Sequence, residues 1–301
     1  MSTLGRGFVN IIRNAVVAGQ FYPGNEKTLR QQIEQCFFDK RGFGSIPTVK
    51  KEESILKGLV VPHAGFIYSG AIASHAYGRL ARQGFAETFI ILGPNHTGMG
   101  SGVSVMIQGS WKTPLGVVDL DEPLAQAITT GIIDHDSSAH TYEHSIEVQL
   151  PFLQYIAKGE RFTFVPVCMM MQDYETVQEV GDIIATAVQR SKRKIVLIAS
   201  SDFSHAGFND QSQPPKGLRV DEYATKQDAL AIKEILALDP KQLIKTVEEH
   251  HITMCGFGPV AAMLIATKKL GANTAELLKY GTSYEVYPDS SCVGYGAIVV
   301  S

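Results

Sequence analysis

The sequence predicts an α/β fold, a single domain over residues 1–301 with a largely parallel to mixed central sheet flanked by helices. Three observations carry this expectation. Short apolar runs alternate with segments of helical periodicity along the whole chain, the pattern of strand–helix–strand units. Three of the runs, Leu59-Val60-Val61, Phe89-Ile90-Ile91-Leu92 and Ile195-Val196-Leu197-Ile198-Ala199, pass directly into loops of Gly, Pro or Ser that carry His63, His96 and His205. No internal repeat, linker or low-complexity segment divides the chain, whose length α/β folds often use as one unit.

Taken in order, Val17–Pro23 is a small-residue segment with an aromatic pair. Asn25 then precedes a helix whose Leu29, Ile33, Cys36 and Phe37 fall at spacings of three and four. Arg41–Glu53 reads as loop. The first histidine strand leads into a helix over Ala71–Arg82, and the strand Thr88–Leu92 into the second histidine loop. Val103–Ile107 and Val117–Leu120 read as strands joined by the turn-rich Trp111–Gly116, which suggests a hairpin. Leu124–Thr130 is a short helix, and Ile133–Tyr142 is a polar loop. Glu143-His144-Ser145-Ile146-Glu147 is expected to start a helix that continues past Pro151. Phe162–Val167 is a strand and Tyr174–Gln189 an amphipathic helix. After the third histidine strand and a turn-rich Asn209–Gly217 come helices over Asp221–Leu236, Pro240–His250 and Val260–Leu270. Leu277–Tyr280 and Cys292–Val300 read as closing strands.

Hydrophobic residues make up 45% of the chain and charged residues 19%, ordinary values for a globular protein, and the formal net charge of -3 carries no basic stripe that would invite nucleic acid. No apolar run approaches the ~18 residues of a membrane span, and Met1–Ile12 lacks the long apolar core of a signal peptide. Cys36, Cys168, Cys255 and Cys292 are widely spaced with no C-x-x-C pair, which fits a reducing, cytoplasmic setting better than a disulfide framework.

Ligand sites in open α/β sheets lie beyond the carboxyl ends of the strands. His63, His96, Asp202 and His205 all occupy such ends, so these loops are expected to meet in one cleft. Neutral imidazole is a common ligand of zinc, copper and iron. Cys255 stands at a glycine-flanked loop-to-helix junction, where a helix amino end favours the thiolate that binds metal. The other three cysteines fall on apolar stripes or strands and read as core. Glu143 and Glu147 could share a helix face and cap its start, or supply an acid, a base or a partner for a ligand histidine. His144 is expected to point into the same cleft. His75 reads as structural, His135 and His140 as solvated loop residues, and His250 and His251 carry no particular signal.

In order along the chain, Ala18-Gly19-Gln20-Phe21-Tyr22, Pro62-His63-Ala64-Gly65-Phe66-Ile67-Tyr68-Ser69-Gly70, Ile91-Leu92-Gly93-Pro94-Asn95-His96, Trp111-Lys112-Thr113-Pro114-Leu115, Glu143-His144-Ser145-Ile146-Glu147, Ser200-Ser201-Asp202-Phe203-Ser204-His205 and Cys255-Gly256 resemble the Memo family. That family is the mediator of ErbB2-driven cell motility, or AmmeMemoRadiSam system protein B in prokaryotes. The resemblance implies a fold like that of the class III extradiol dioxygenases. It also implies a copper or iron site, these metals ahead of zinc, at His63, His96 and Cys255, with Asp202, His205 and His144 nearby. It further implies links to redox signalling, phosphotyrosine peptides and, in prokaryotes, a radical-SAM partner. Extradiol dioxygenases place a carboxylate where this chain offers Cys255. A softer thiolate donor argues against ring cleavage.

Three functional readings follow. In the first, a redox or dioxygenase-like enzyme, His63, His96 and Cys255 hold the metal, His205 or His144 moves protons, and Asp202 orients an imidazole. The second is a metal-dependent hydrolase with Glu143 or Asp202 as base. The third is a non-catalytic module that binds a small molecule or peptide in the strand-end cleft. The first ranks highest.

Overall fold

The computed structural model describes residues 11–50 and 55–301; all but the last two residues of Met1–Ile12, read as lacking a signal-peptide core, and residues 51–53 of the first long loop lie outside the described residues. The first half contains β1 (Ile12–Asn14), α1 (Glu26–Phe38), β2 (Gly58–Val61), α2 (Phe66–Gln83), β3 (Thr88–Pro94), β4 (Val103–Val105), β5 (Ser110–Thr113), β6 (Gly116–Asp119), α3 (Glu122–Ile128), β7 (Asp134–His135) and α4 (Gln149–Ala157). The second half contains β8 (Thr163–Met169), α5 (Tyr174–Arg190), β9 (Ile195–Ser200), β10 (His205–Ala206), α6 (Val220–Leu236), α7 (Pro240–Glu249), α8 (Phe257–Lys269), β11 (Ala275–Thr282) and β12 (Cys292–Val300).

The main sheet has the order β10-β12-β2-β9-β3-β8-β4-β7, with β11 also on β12. Its centre, β2-β9-β3-β8, is parallel, and β12 and β4 add antiparallel strands on either side. The continuous apolar runs of the central strands follow from this position, because a parallel strand covered on both faces has no polar side. Alternate residues feed two separate cores. Val60, Ile90, Leu92, Val165 and Val167 face α5, α7 and α8. Leu59, Val61, Phe89, Ile91 and Phe164 face α1, α2 and α4. Side-chain caps set the starts of α1, α3, α5 and α7; Asn25, for example, accepts from Thr28 N at 3.0 Å and Asp173 from Thr176 N at 3.0 Å.

Three expectations are corrected. Val103–Val105 joins the main sheet beside β8. The hairpin is formed instead by β5 and β6, and β1 completes that small sheet. The turn-rich signal was sound, but one of the paired strands is Trp111-Lys112 itself, whose Trp111 is buried. Glu143 and His144 have no regular secondary structure, Ser145–Val148 form turns, and the helix begins only at Gln149. His140 is buried against Trp111, with ring centroids 5.8 Å apart, and is not a solvated loop residue. The buried Cys36, Cys168 and Cys292 agree with their reading as core.

Asp228, buried on α6, ties that helix to the sheet and to the third histidine loop. Its Oδ2 accepts from Tyr280 Oη at 2.7 Å and its Oδ1 from Ser204 N at 2.8 Å. Burial outweighs these bonds and pushes its carboxyl up to about 6. A carboxyl raised in the folded state contributes stability that is full below its unfolded pKa of about 4 and is lost as the pH rises through the folded value. Urea melts of wild type and Asp228→Asn should therefore diverge. The stability of the wild type relative to the variant is expected to grow on the order of 2 kcal/mol between about pH 7 and pH 4. Parallel stability curves over that range would refute a raised Asp228.

A candidate metal centre at the carboxyl ends of the parallel strands

The four central strands all point their carboxyl ends the same way. Val61, Pro94, Met169 and Ser200 therefore open onto one side of the sheet, and the loops beyond them meet there. His63 and His96 lie with ring centroids 5.2 Å apart, and His144 lies 5.5 Å from His63 and 4.6 Å from His96, nearly parallel to the latter. Cys255 Sγ approaches His63 Nε2 to 3.3 Å. One donor atom from each of His63, His96 and Cys255 lies within 4.8 Å of the other two.

Two glycines permit this approach. A Cβ on Gly256 would stand 2.5 Å from Ser200 O, so glycine after Cys255 lets the thiol turn lie against the end of β9. A Cβ on Gly93 would meet Ser145 Oγ at 2.4 Å, so glycine near the end of β3 lets the Glu143–Ser145 segment settle on that strand. Gln172 completes the placement of the thiol turn, donating to Cys255 O at 3.0 Å and accepting from Gly258 N at 2.7 Å.

The hydrogen bonds fix which imidazole nitrogen is free. Ser200 Oγ donates its proton to Ser145 O at 2.7 Å, a carbonyl that can only accept. It accepts from Gln149 Nε2 at 2.8 Å, and that amide nitrogen is identified by its second bond, to Pro62 O at 3.1 Å. Ser200 has no further proton for His63 Nδ1, 2.9 Å away, so His63 must donate through Nδ1–H. The lone pair of its Nε2 then faces Cys255. The carboxylate of Glu143 accepts from His96 Nδ1 at 2.9 Å, which places the free nitrogen of His96 at Nε2 as well. His205 Nδ1 lies 3.1 Å from two carbonyls, Phe203 O and Thr253 O, with the same consequence.

Glu143 is buried and also accepts from the main-chain N–H groups of His96, His144 and Ser145. Burial pushes its carboxyl up, but His96 and these amides overcome that and hold it at about 2. It is therefore neither a helix cap nor a partner of Glu147 on one face. Glu147 points away to Arg13, which donates to it, to Glu143 O at 2.6 Å and to His140 O at 2.9 Å. Tyr22 Oη at 2.5 Å and the amides of Val16 and Val17 complete the Glu147 shell. Phe21, on the same amino-terminal turn, packs edge-on against His144 at 4.8 Å.

Asp202 differs from its expected role. It accepts from His63 N at 2.8 Å and so fixes main chain; the imidazoles are oriented by Ser200 and Glu143. Burial pushes the Asp202 carboxyl up, opposed by nearby His205. His205 stands close enough to bias both Asp202 and His63, but it is outside the trio of converging donors. Burial, reinforced by neighbouring imidazoles, holds His63 well below the usual histidine value, and burial holds His144 at about 4, so both are neutral near pH 7. The helix start does not by itself deliver a thiolate: burial pushes the Cys255 thiol up, and Asp202 adds to the effect. The donor set nevertheless fits a metal ion. Two imidazoles present unprotonated Nε2 atoms beside a thiol that a cation would ionise.

Sequence reasoning did not assign roles to Ser200, Gln149, Gln172 or Arg13. Ser200 carried one signal, a hydroxyl closing an otherwise apolar strand. The other three are side chains whose partners lie far away in sequence, as with Arg13 and Glu147 (|i−j| = 134), Gln172 and Cys255 (|i−j| = 83) or Gln149 and Ser200 (|i−j| = 51).

The family model described as Memo-like protein matches residues 13–299. A MEMO1 family protein of Methanopyrus kandleri is 48% identical to this chain, covering 95% of it and 98% of its own length. One from Methanocaldococcus jannaschii is 46% identical, covering 97% and 100%. The crystal structure of an uncharacterized protein from Escherichia coli K12 shares the fold at a TM-score of 0.55 and 12% identity, covering 81% of this chain and 99% of that one.

The Nδ1 tethers generate a direct test. Ser200→Ala and Glu143→Gln are each expected to weaken metal binding by about 10–100-fold, because the imidazole then turns or changes tautomer. His135→Ala, an exposed position, should titrate as wild type. Competition against a chromophoric chelator measures this, and wild-type affinity in both tether variants would show that Ser200 and Glu143 do not prepare the donors.

Proposed function

This chain belongs to the Memo-like family, and from that premise we propose that it binds one copper or iron ion through His63, His96 and Cys255 and serves as a redox, dioxygenase-like protein. One observation carries the reading: two imidazole Nε2 atoms, each freed by an Nδ1 hydrogen bond, converge with the Cys255 sulfur. Without a cation the Cys255 thiol can place its proton on the His63 Nε2 lone pair or on Asp202 O; a cation would ionise the sulfur and take both imidazole nitrogens and the thiolate as ligands. The thiolate favours copper, and imidazole suits either metal.

Bound there, copper or iron would supply one-electron redox chemistry. The remaining work belongs to the chain. Ser200 and Glu143 hold the two ring orientations, and Asp202 holds the main chain of His63. His144 stacks beside His96, and His205, held at Nδ1 by two carbonyls, turns its Nε2 away from them; these are the two further imidazoles placed to meet a ligand. The hydrolytic alternative is weaker because the two carboxylates it would use as base are already engaged. Glu143 already accepts four N–H groups, and Asp202 is engaged by His63.

A small-molecule or peptide ligand in the cleft and a radical-SAM partner belong to the same proposal, as the family resemblance implies. So does a cytoplasmic location, which suits four free cysteines. No helix among the described residues is long and apolar enough to cross a membrane.

Substitution at Cys255 tests the reading. Cys255→Ser should weaken copper(I) binding by more than about 100-fold, since a hydroxyl is a hard, poor donor to a soft ion. Cys255→Asp should move preference toward iron(II) by restoring two histidines and a carboxylate. Metal analysis of protein purified under reducing conditions without added metal, followed by titration of the three proteins, measures both. Unchanged copper(I) affinity in Cys255→Ser removes the sulfur from the site.

A further inference from the structure

Beside the histidine cluster, on the side of His205, lies a cavity of about 250 Å³. Its walls include Tyr68 from α2, Phe208 from the loop after β10, Tyr287 from the loop before β12, and Tyr295 on β12; Asp289 stands at its edge. Tyr68, Phe208 and Tyr287 are 38%, 56% and 66% exposed, so three large aromatic side chains from separate elements surround this one hollow without burying each other. The Phe208 ring lies 5.7 Å from that of His205, and Val293, another wall residue, pairs with His205 across the β10–β12 ladder. The cavity therefore opens beside the proposed metal centre.

Its charge selects the occupant. No Lys, Arg or His lines the cavity. Asp289 Oδ1 accepts only from its neighbour Ser290, through N and Oγ, and no cation pairs with Asp289 among the described residues. An uncompensated carboxylate beside several aromatic rings repels anions and gives neutral ligands no electrostatic advantage. It attracts a positive charge, which ring quadrupoles bind within about 6 Å of a centroid. A bare Lys-type ammonium holds its water strongly, whereas an alkylated ammonium carries little hydration and fills an aromatic hollow. We propose that this cavity is a binding site for a small alkylated ammonium group, held by Tyr68, Phe208 and Tyr287 and neutralised by Asp289. Binding requires no metal. That the rest of such a ligand would face the metal centre rests on the function proposed above.

Choline and its neutral isostere 3,3-dimethyl-1-butanol serve as probes on the full-length, metal-free protein, so the outcome is independent of whether the metal reading holds. By calorimetric or NMR titration, choline should bind about 10-fold more tightly than the isostere. Asp289→Asn and Tyr287→Leu, both at exposed positions that leave the core untouched, should each weaken choline about 5–10-fold. Asp289→Asn should leave the isostere unaffected. Choline saturation should shift the imidazole resonances of His205 and spare those of His75, which is held by Arg41 O on α2. Equal binding of choline and the isostere, wild-type choline affinity in Asp289→Asn, or choline binding that leaves His205 unmoved would each overturn the proposal. So would the absence of choline binding.

Discussion

The hydroxyl of Ser200 is the node on which the site depends. It donates to Ser145 O, accepts from Gln149 and accepts from His63 Nδ1. One oxygen thus joins the ends of β2 and β9, the start of α4 and the segment that carries Glu143 and His144. A hydroxyl can meet this geometry because it has one proton and two lone pairs, and all three are used. The directional consequence is chemical: His63 must keep its proton on the far side, and its Nε2 is left facing the cleft.

A second constraint acts from the amino-terminal side. The guanidinium of Arg13 reaches His140 O, Glu143 O and the Glu147 carboxylate, and it lies 4.1 Å over the Trp111 ring. Burying an ion pair is costly unless further hydrogen bonds satisfy both partners. Here Val16, Val17 and Tyr22 complete Glu147, and the carbonyls complete Arg13. The result is geometric specificity for a segment that has no regular secondary structure of its own. The stretch from Glu143 to Val148 would otherwise be free to move Glu143 away from His96.

Electrostatics and geometry agree at this site. Desolvation drives Cys255 toward the neutral thiol and His63 toward the neutral imidazole. Glu143 stays ionised despite burial because four N–H groups point at it. The cleft thereby keeps a fixed negative charge behind His96 and presents the neutral His63 imidazole and Cys255 thiol in front, an arrangement that favours a cation over a neutral occupant.

The sequence by itself determined the central strands, most of the helices and the three histidine loops, because burial on both faces requires continuous apolar runs and a switch of period marks each helix; the short strands β1, β5, β7 and β10 escaped it. The positions of His63, His96 and Cys255 were legible because His63 and His96 follow recognisable strand ends and Cys255 precedes a glycine-marked helix start. The hairpin partner was not, since Trp111-Lys112-Thr113 runs into Pro114-Leu115-Gly116 and reads as turn, and only long-range register assigns it to β6 and Val103–Val105 to β8. Nor was the split between Glu143 and Glu147, whose four-residue spacing reads as a helix face until Arg13 and His96 claim them separately. The tautomer of His63 was out of reach entirely. It follows from where one hydroxyl proton goes, and that depends on Ser145 and Gln149 arriving at Ser200 from more than 50 residues away in the chain.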